Sequence, residues 1–194
     1  MGQMPTSMGW LRALLALALL AGALAACGFE QQPSEPAAQA DQSGGGLAPE
    51  TVAKNFFDDL RTAMNDKQIT DDDRRSKWVE QLSNYFAPAE RDDMRVALST
   101  ALDNFVSGLG KLASTEALTL DIKFDGIEVV SEADDHALVR PINGSIYLLI
   151  TRTTDTGAVV NLWEQSNPLN TIIGNPDGAV PVVRIGRTWF LTQG

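Results

Sequence analysis

The apolar positions between Pro49 and Leu112 recur every three or four residues, which is the spacing of one face of a helix. A first helix is predicted from Pro49, because the first turn of a helix does not need the N–H that proline lacks. Its apolar positions are Val52, Ala53, Phe56, Phe57, Leu60, Ala63 and Met64. The acidic run 71–73 predicts the cap of a second helix, and a third is predicted from about Ala89.

From Leu118 onward the apolar positions alternate with polar ones, which is typical of strands with one buried face. The alternation slips by one residue at Gly126, and this predicts a β-bulge in the first long strand. A second long strand is predicted over 136–153 and a shorter one over 159–163, followed by a loop over 164–175.

Two closing strands are predicted over 180–185 and 188–191. Helices followed by antiparallel strands predict an α+β fold in which N-terminal helices pack on a curved antiparallel sheet.

A different pattern precedes these elements. The 12 residues from Ala13 to Leu24 are an unbroken run of Ala, Leu and Gly, and Arg12 stands before them. The run is shorter than the ~20 residues of a membrane-spanning helix, and it suits the core of a secretory signal peptide. No comparable run occurs later in the chain.

The four residues Leu24-Ala25-Ala26-Cys27 resemble the lipobox of bacterial lipoproteins. The resemblance implies cleavage before Cys27 and a diacylglycerol thioether on its sulfur. Two or three acyl chains would then hold the protein on the extracytoplasmic side of a membrane, the outer membrane in a cell that has one. An ordinary signal peptide with a free Cys27, or an uncleaved anchor, is the alternative.

Residues 28–48 are rich in Pro, Gln, Ser and Gly and predict a flexible tether, because they cannot bury enough apolar surface to fold. The chain is therefore divided into a signal peptide (1–26), a lipidated cysteine with its tether (27–48) and one α+β domain (49–194).

Charge and cysteine content narrow the classes of partner. The net charge of −10 would repel the phosphates of nucleic acid, so no nucleic-acid partner is expected. One cysteine cannot form an internal disulfide, and one Cys with one His cannot form a Cys/His zinc site. No metal or cofactor is expected.

Two features of the chain resemble a known superfamily. Three helices precede long antiparallel strands, and the last strand lies in the closing sequence Gly186-Arg187-Thr188-Trp189-Phe190-Leu191. Both resemble the nuclear-transport-factor-2-like (cystatin-like cone) superfamily. The resemblance implies a sheet wrapped around a helix with a conical pocket inside. Members include isomerases, polyketide cyclases and domains without catalysis, so the fold alone does not give the function.

Candidate residues for such a pocket are large apolar or aromatic side chains, namely Phe56, Leu60, Trp78, Tyr147 and Trp163. Asp121 and His136 are weak acid–base candidates. No convincing catalytic pair is visible, which favours a non-catalytic module that binds an apolar ligand or a protein partner. The alternative is an isomerase- or cyclase-type enzyme that uses Asp121, His136 or Tyr147.

The segment 146–150 is apolar at every position, although a strand with one wet face should alternate. Both of its faces therefore need cover. A sheet-to-sheet homodimer would supply it, and the alternative is cover within one subunit by the 164–175 loop or by the end of the chain.

Replacing the lipobox cysteine tests the anchor. We expect Cys27→Ser to release the protein from the membrane or to leave its signal peptide uncut, because the lipid-bearing sulfur is absent. Membrane fractionation and the mass of the mature chain measure both outcomes. A variant that stays membrane-bound with its signal peptide removed would show that the anchor is something else.

Overall fold

The computed structural model describes residues 44–173 and 177–194. The predicted signal peptide, Cys27 and most of the predicted tether lie outside the described residues. The described chain is an α+β fold in which three helices pack against two antiparallel sheets. This confirms the predicted fold class.

The three long helices are α1 (Pro49–Met64), α2 (Asp72–Ser83) and α3 (Arg91–Leu109). Helix α1 begins at Pro49 and buries Val52, Ala53 and Phe57, as the periodicity predicts. Asp71 caps α2, since its carboxylate accepts a hydrogen bond of 2.8 Å from the N–H of Arg74. A single 3₁₀ turn, Pro88–Glu90, leads into α3.

The strands divide into two sheets. The strands are β1 (Glu116–Lys123), β2 (Gly126–Ala133), β3 (His136–Ile142), β4 (Ser145–Thr153), β5 (Val159–Pro168), β6 (Val180–Ile185) and β7 (Thr188–Leu191). The smaller sheet has the order β1-β4-β5 and the larger β2-β3-β6-β7, all antiparallel, with a short helix α4 (Asn170–Ile173) after β5.

The two long predicted strands are each broken where the chain passes from one sheet to the other. Asn143 adopts a left-handed φ of 52°, and its amide donates to the Asp125 carboxylate at 2.7 Å, so the two breaks lie side by side. A Cβ on Gly144 would lie 3.0 Å from the Cβ atoms of Pro141 and Leu169. The bulge predicted at Gly126 is therefore wrong: the chain changes sheet there, and the register shift lies between Val129 and Ser131.

Strand β5 is longer than its sequence pattern predicts. It pairs with β4 as far as Pro168, so the loop predicted from residue 164 is wrong over its first five positions. The polar residues of β5 gain backbone hydrogen bonds from β4, and at a sheet edge their side chains stay in contact with water.

Helix α1 contacts strands of both sheets and forms the centre of the core. Within β4, Ile146, Leu148 and Ile150 are buried, whereas Tyr147 and Leu149 are half-buried on the opposite face. Leu149 lies between its register partners Thr119 and Glu164. Same-sheet neighbours thus give part of the cover that the apolar segment needs, and the homodimer stays a prediction.

The last residues of the predicted tether belong to the fold. Gly46 exchanges two backbone hydrogen bonds with Trp189 of β7, at 2.9 and 2.8 Å. The flexible tether predicted to residue 48 is therefore wrong over residues 44–48. Composition alone does not show that these glycines pack closely against the sheet. A Cβ on Gly45 would lie 2.2 Å from Cγ2 of Thr188, so the close contact requires glycine.

The free edge of β1 is closed by a side chain. The Asn65 amide donates to the Leu120 carbonyl at 2.5 Å and accepts from the Leu120 N–H at 3.3 Å, so it imitates a neighbouring strand. An edge treated in this way is a poor template for pairing with another chain.

We expect Gly45→Ala to lower the free energy of unfolding by about 1–3 kcal/mol, because the added methyl overpacks the contact with Thr188 and Phe190. Gly110→Ala is the matched control, since a Cβ there meets only atoms 3.7 Å away. Urea unfolding measures both. Equal stability of chains that begin at residue 44 and at residue 49 would contradict a structural role for the glycines.

Candidate functional site

A cavity of about 320 Å³ lies between α1, α3 and strands of both sheets. Its walls are almost entirely hydrocarbon. Leu138, one of its lining residues, is 37% exposed, so the cavity reaches the surface beside β3. The lining residues are Phe56, Phe57, Leu60, Phe86, Met94, Leu98, Ala101, Leu102, Ile122, Leu138, Ile146, Leu169, Ile173, Ala179, Val180, Pro181, Leu191, Thr192 and Gln193.

Helical spacing builds the first wall. Met94, Leu98 and Leu102 lie four residues apart along α3, and Ala101 lies three residues after Leu98, so the four share one face. On α1 the ring of Phe56 makes edge-to-face contacts with the rings of Phe57, Tyr85 and Phe86, at centroid distances of 5.6, 5.9 and 5.5 Å. These contacts hold the aromatic wall in one arrangement.

Strand pairing builds the opposite wall. Ile122 of β1 and Ile146 of β4 are register partners, and so are Leu138 of β3 and Pro181 of β6. The cavity is therefore lined by both sheets, and the break at Asn143 brings them to the same space.

The polar atoms of the lining come from two residues after β7. The Thr192 hydroxyl donates to the Glu90 carboxylate at 2.6 Å, and the Gln193 backbone N–H donates to its other oxygen at 2.9 Å. The side-chain amide of Gln193 donates to Sδ of Met94 at 2.8 Å. Of the described lining residues, none has an ionisable side chain.

The structure brings two of the five predicted pocket residues together at this cavity, Phe56 and Leu60. Trp78 lies in a separate polar cleft, where its indole donates to Asp66. Trp163 is half-buried against the core, and Tyr147 faces away from the cavity. The helical spacing of the apolar residues of α3 indicates the cavity wall that this helix provides. No sequence pattern indicates Gln193.

The acid–base candidates lie outside the cavity. Asp121 and Tyr147 are register partners, so they share one face of the β1–β4 pair, while their neighbours Ile122 and Ile146 line the cavity on the other face. Lys123 lies 3.5 Å from the Asp121 carboxylate and 5.2 Å from the centre of the Tyr147 ring. His136 is exposed at the start of β3.

Burial, together with the nearby Glu164 carboxylate, raises the pKa of Tyr147 above its ordinary value. The hydroxyl therefore keeps its proton at neutral pH. A tyrosine in this state can donate a hydrogen bond, but here it would donate on the face away from the cavity.

In the polar cleft around Trp78, the pKa of the Asp66 carboxylate is strongly lowered. Asp66 accepts hydrogen bonds from the Trp78 indole at 2.7 Å, the Gln68 N–H at 2.9 Å and the Arg74 guanidinium at 2.5 Å. These donors stabilise the ionised form and lower the pKa of Asp66 to about 2, with the indole contributing most. Arg74 also stacks over the Trp78 ring, with its guanidinium carbon 5.2 Å from the ring centre.

The chain matches no family model, no curated protein and no solved structure. In the described part of the chain, no three or more His, Cys, Asp or Glu side chains are grouped so that they could hold a metal ion. No helix within the described ranges is long and apolar enough to cross a membrane. The functional inference therefore depends on the cavity.

Lowering the pH tests the Asp66 cluster. Because its folded pKa is below the ordinary value of about 4, this carboxylate stabilises the fold above that pH, and the stabilisation is lost as pH falls from about 4 towards 2. We expect Trp78→Phe to make the fall in stability over this range shallower than in the wild type. Unfolding curves at stepped pH measure the slope, with Trp163→Phe as control. Equal slopes in all three proteins would contradict the prediction.

Proposed function

We propose that this chain is a lipid-anchored protein of the bacterial cell envelope whose domain binds an apolar small molecule in the cavity between α1, α3 and the two sheets. The observation that supports the binding function is the cavity lining, in which apolar side chains surround about 320 Å³ and, among the described lining residues, only Thr192 and Gln193 have polar side chains. Concave, largely apolar sites of ~300–1,000 Å³ with few polar groups are typical of small-molecule binding.

The cost of leaving such a space unfilled also favours a ligand. Apolar voids destabilise a protein by ~24 cal/mol per Å³, and a domain is stable by only ~5–15 kcal/mol in total. A void of 320 Å³ would consume a large share of that, even though the part that reaches solvent beside Leu138 costs less. A molecule that fills the cavity restores those contacts.

The N-terminal sequence supports the location. The lipobox-like segment ends at Cys27, and only 16 residues separate it from Gly44, the first residue described. Fully extended, this length spans about 60 Å at most. A lipid on Cys27 would therefore keep the cavity close to a membrane, which is a source of apolar molecules.

The isomerase- or cyclase-type alternative has less support. Such a reaction needs an acid and a base within hydrogen-bond reach of the substrate. Asp121 and Tyr147 lie together on the opposite face of the sheet, and His136 is an exposed residue at the start of β3. The lining favours binding over acid–base chemistry.

A neutral fluorescent probe tests the binding function. Phenylnaphthylamine emits strongly in apolar surroundings, so we expect its emission to rise when it binds the wild-type domain. Ala101→Phe, which fills the cavity from α3, should weaken binding by about tenfold or more. Val96→Phe on the same helix is the matched control, because Val96 is 69% exposed.

Two outcomes would contradict the proposed function. The first is a wild-type protein that gives no rise in probe emission. The second is equal probe affinity in Ala101→Phe and Val96→Phe, which would place the probe on the surface. Circular dichroism of the variants separates lost binding from lost folding.

A further inference from the structure

The polar corner of the cavity is dominated by a carboxylate just behind the lining. Glu90 precedes α3, one turn before the lining residue Met94, and its two oxygens accept from the Thr192 hydroxyl and the Gln193 N–H. Both of those donors belong to lining residues. The negative charge of Glu90 therefore lies within one hydrogen bond of the only polar part of the cavity wall.

This arrangement selects against an anionic ligand. No lysine or arginine occurs among the described lining residues to pair with an anion. Arg91, the cation next to Glu90, donates to the carbonyls of Phe86 at 3.2 Å and Asn84 at 3.4 Å and stacks on the Phe190 ring. A carboxylate seated beside Thr192 would give up part of its hydration and face the like charge of Glu90, and the described lining holds no cation to offset either cost.

A cationic headgroup is also a poor fit. Glu90 lies behind Thr192 and Gln193 and is not itself a lining residue, so an ammonium group in the cavity finds no carboxylate in the described wall to pair with. The rest of the wall is hydrocarbon, which cannot solvate a charge.

One donor at this corner has only a weak acceptor. The Gln193 side-chain amide donates to the Met94 thioether, and sulfur accepts hydrogen bonds less well than a hydroxyl or carbonyl oxygen. A ligand oxygen placed between them would give the amide a stronger bond, while the thioether, which is polarizable and adaptable, would pack against the ligand's hydrocarbon.

We infer that the cavity takes an uncharged molecule with a medium-length hydrocarbon body and one hydroxyl or carbonyl oxygen, held with that oxygen at Gln193. This inference rests on the proposed binding function and names the class of ligand. The volume agrees, because 320 Å³ holds about ten units the size of a water molecule at ~30 Å³ each. Anionic amphiphiles of the same length are disfavoured by Glu90, and those of either sign by a described lining that has no ionisable side chain to pair with the charge.

Three twelve-carbon compounds that differ only in their headgroup test the inference. Dodecanol, dodecanoate and dodecylamine are compared as displacers of phenylnaphthylamine, each below its micelle concentration. The pH is mildly alkaline, so that the carboxylate of dodecanoate is ionised. We expect dodecanol to displace the probe about tenfold more effectively than either charged compound.

Two variants assign the effect to residues. Glu90→Gln keeps an acceptor for Thr192 and removes the charge, so it should reduce the disadvantage of dodecanoate severalfold. Glu132→Gln, at an exposed position of β2, is the control for total charge and should leave the ratio unchanged. Gln193→Leu should weaken the binding of dodecanol severalfold more than it weakens the binding of the probe.

The outcomes separate the inference from the function on which it rests. Probe binding with equal or better displacement by dodecanoate or dodecylamine overturns the inference and leaves the binding function standing. Absence of probe binding overturns both. A dodecanol affinity that is the same in Gln193→Leu and the wild type overturns the assignment of the oxygen to Gln193.

Discussion

The break shared by Asp125 and Asn143 allows one helix to pack against two sheets. Without it, β1 with β2 and β3 with β4 would continue as one long hairpin, and α1 could cover only part of its surface. The left-handed backbone at Asn143, its bond to Asp125 and the close approach at Gly144 together turn both strands at the same level. The α1 face, the α3 wall and the ends of β6 and β7 then enclose the cavity.

The cavity and the outer sheet face divide the chemistry of this domain. Alternation along β1 and β4 puts Ile122 and Ile146 on the inside and Asp121 and Tyr147 on the outside, so the ionisable groups stay hydrated while the interior stays apolar. The carboxylate of Glu90 lies behind the polar corner of the cavity, held by hydrogen bonds from Thr192 and Gln193 in the segment after β7. A wall of this kind favours binding by shape and by a single polar contact.

Much of the fold could be predicted from periodicity, because helices and strands bury one face each and the spacing records which face. The beginning of α1 at Pro49 and the Asp71 cap appear in the structure as expected. Strand β5 could not be predicted to its end, since its polar half depends on hydrogen bonds from β4. The glycines at 44–46 looked like a linker because composition does not show close packing against Thr188 and Phe190.

Sequence patterns predict only some of the residues of the candidate site. Phe56 and Leu60 could be predicted as pocket residues because helix periodicity orients them. The large side chains of Trp78, Tyr147 and Trp163 suggest a pocket without orienting them towards it, and they lie elsewhere. By itself, the sequence determined the α+β class, the beginning of α1 at Pro49, the Asp71 cap and the resemblance to a lipobox, all of which depend on neighbours a few residues apart. Only the tertiary structure decided which side chains meet at the cavity and that Glu90 lies behind Gln193, since those residues are about a hundred positions apart and meet through packing.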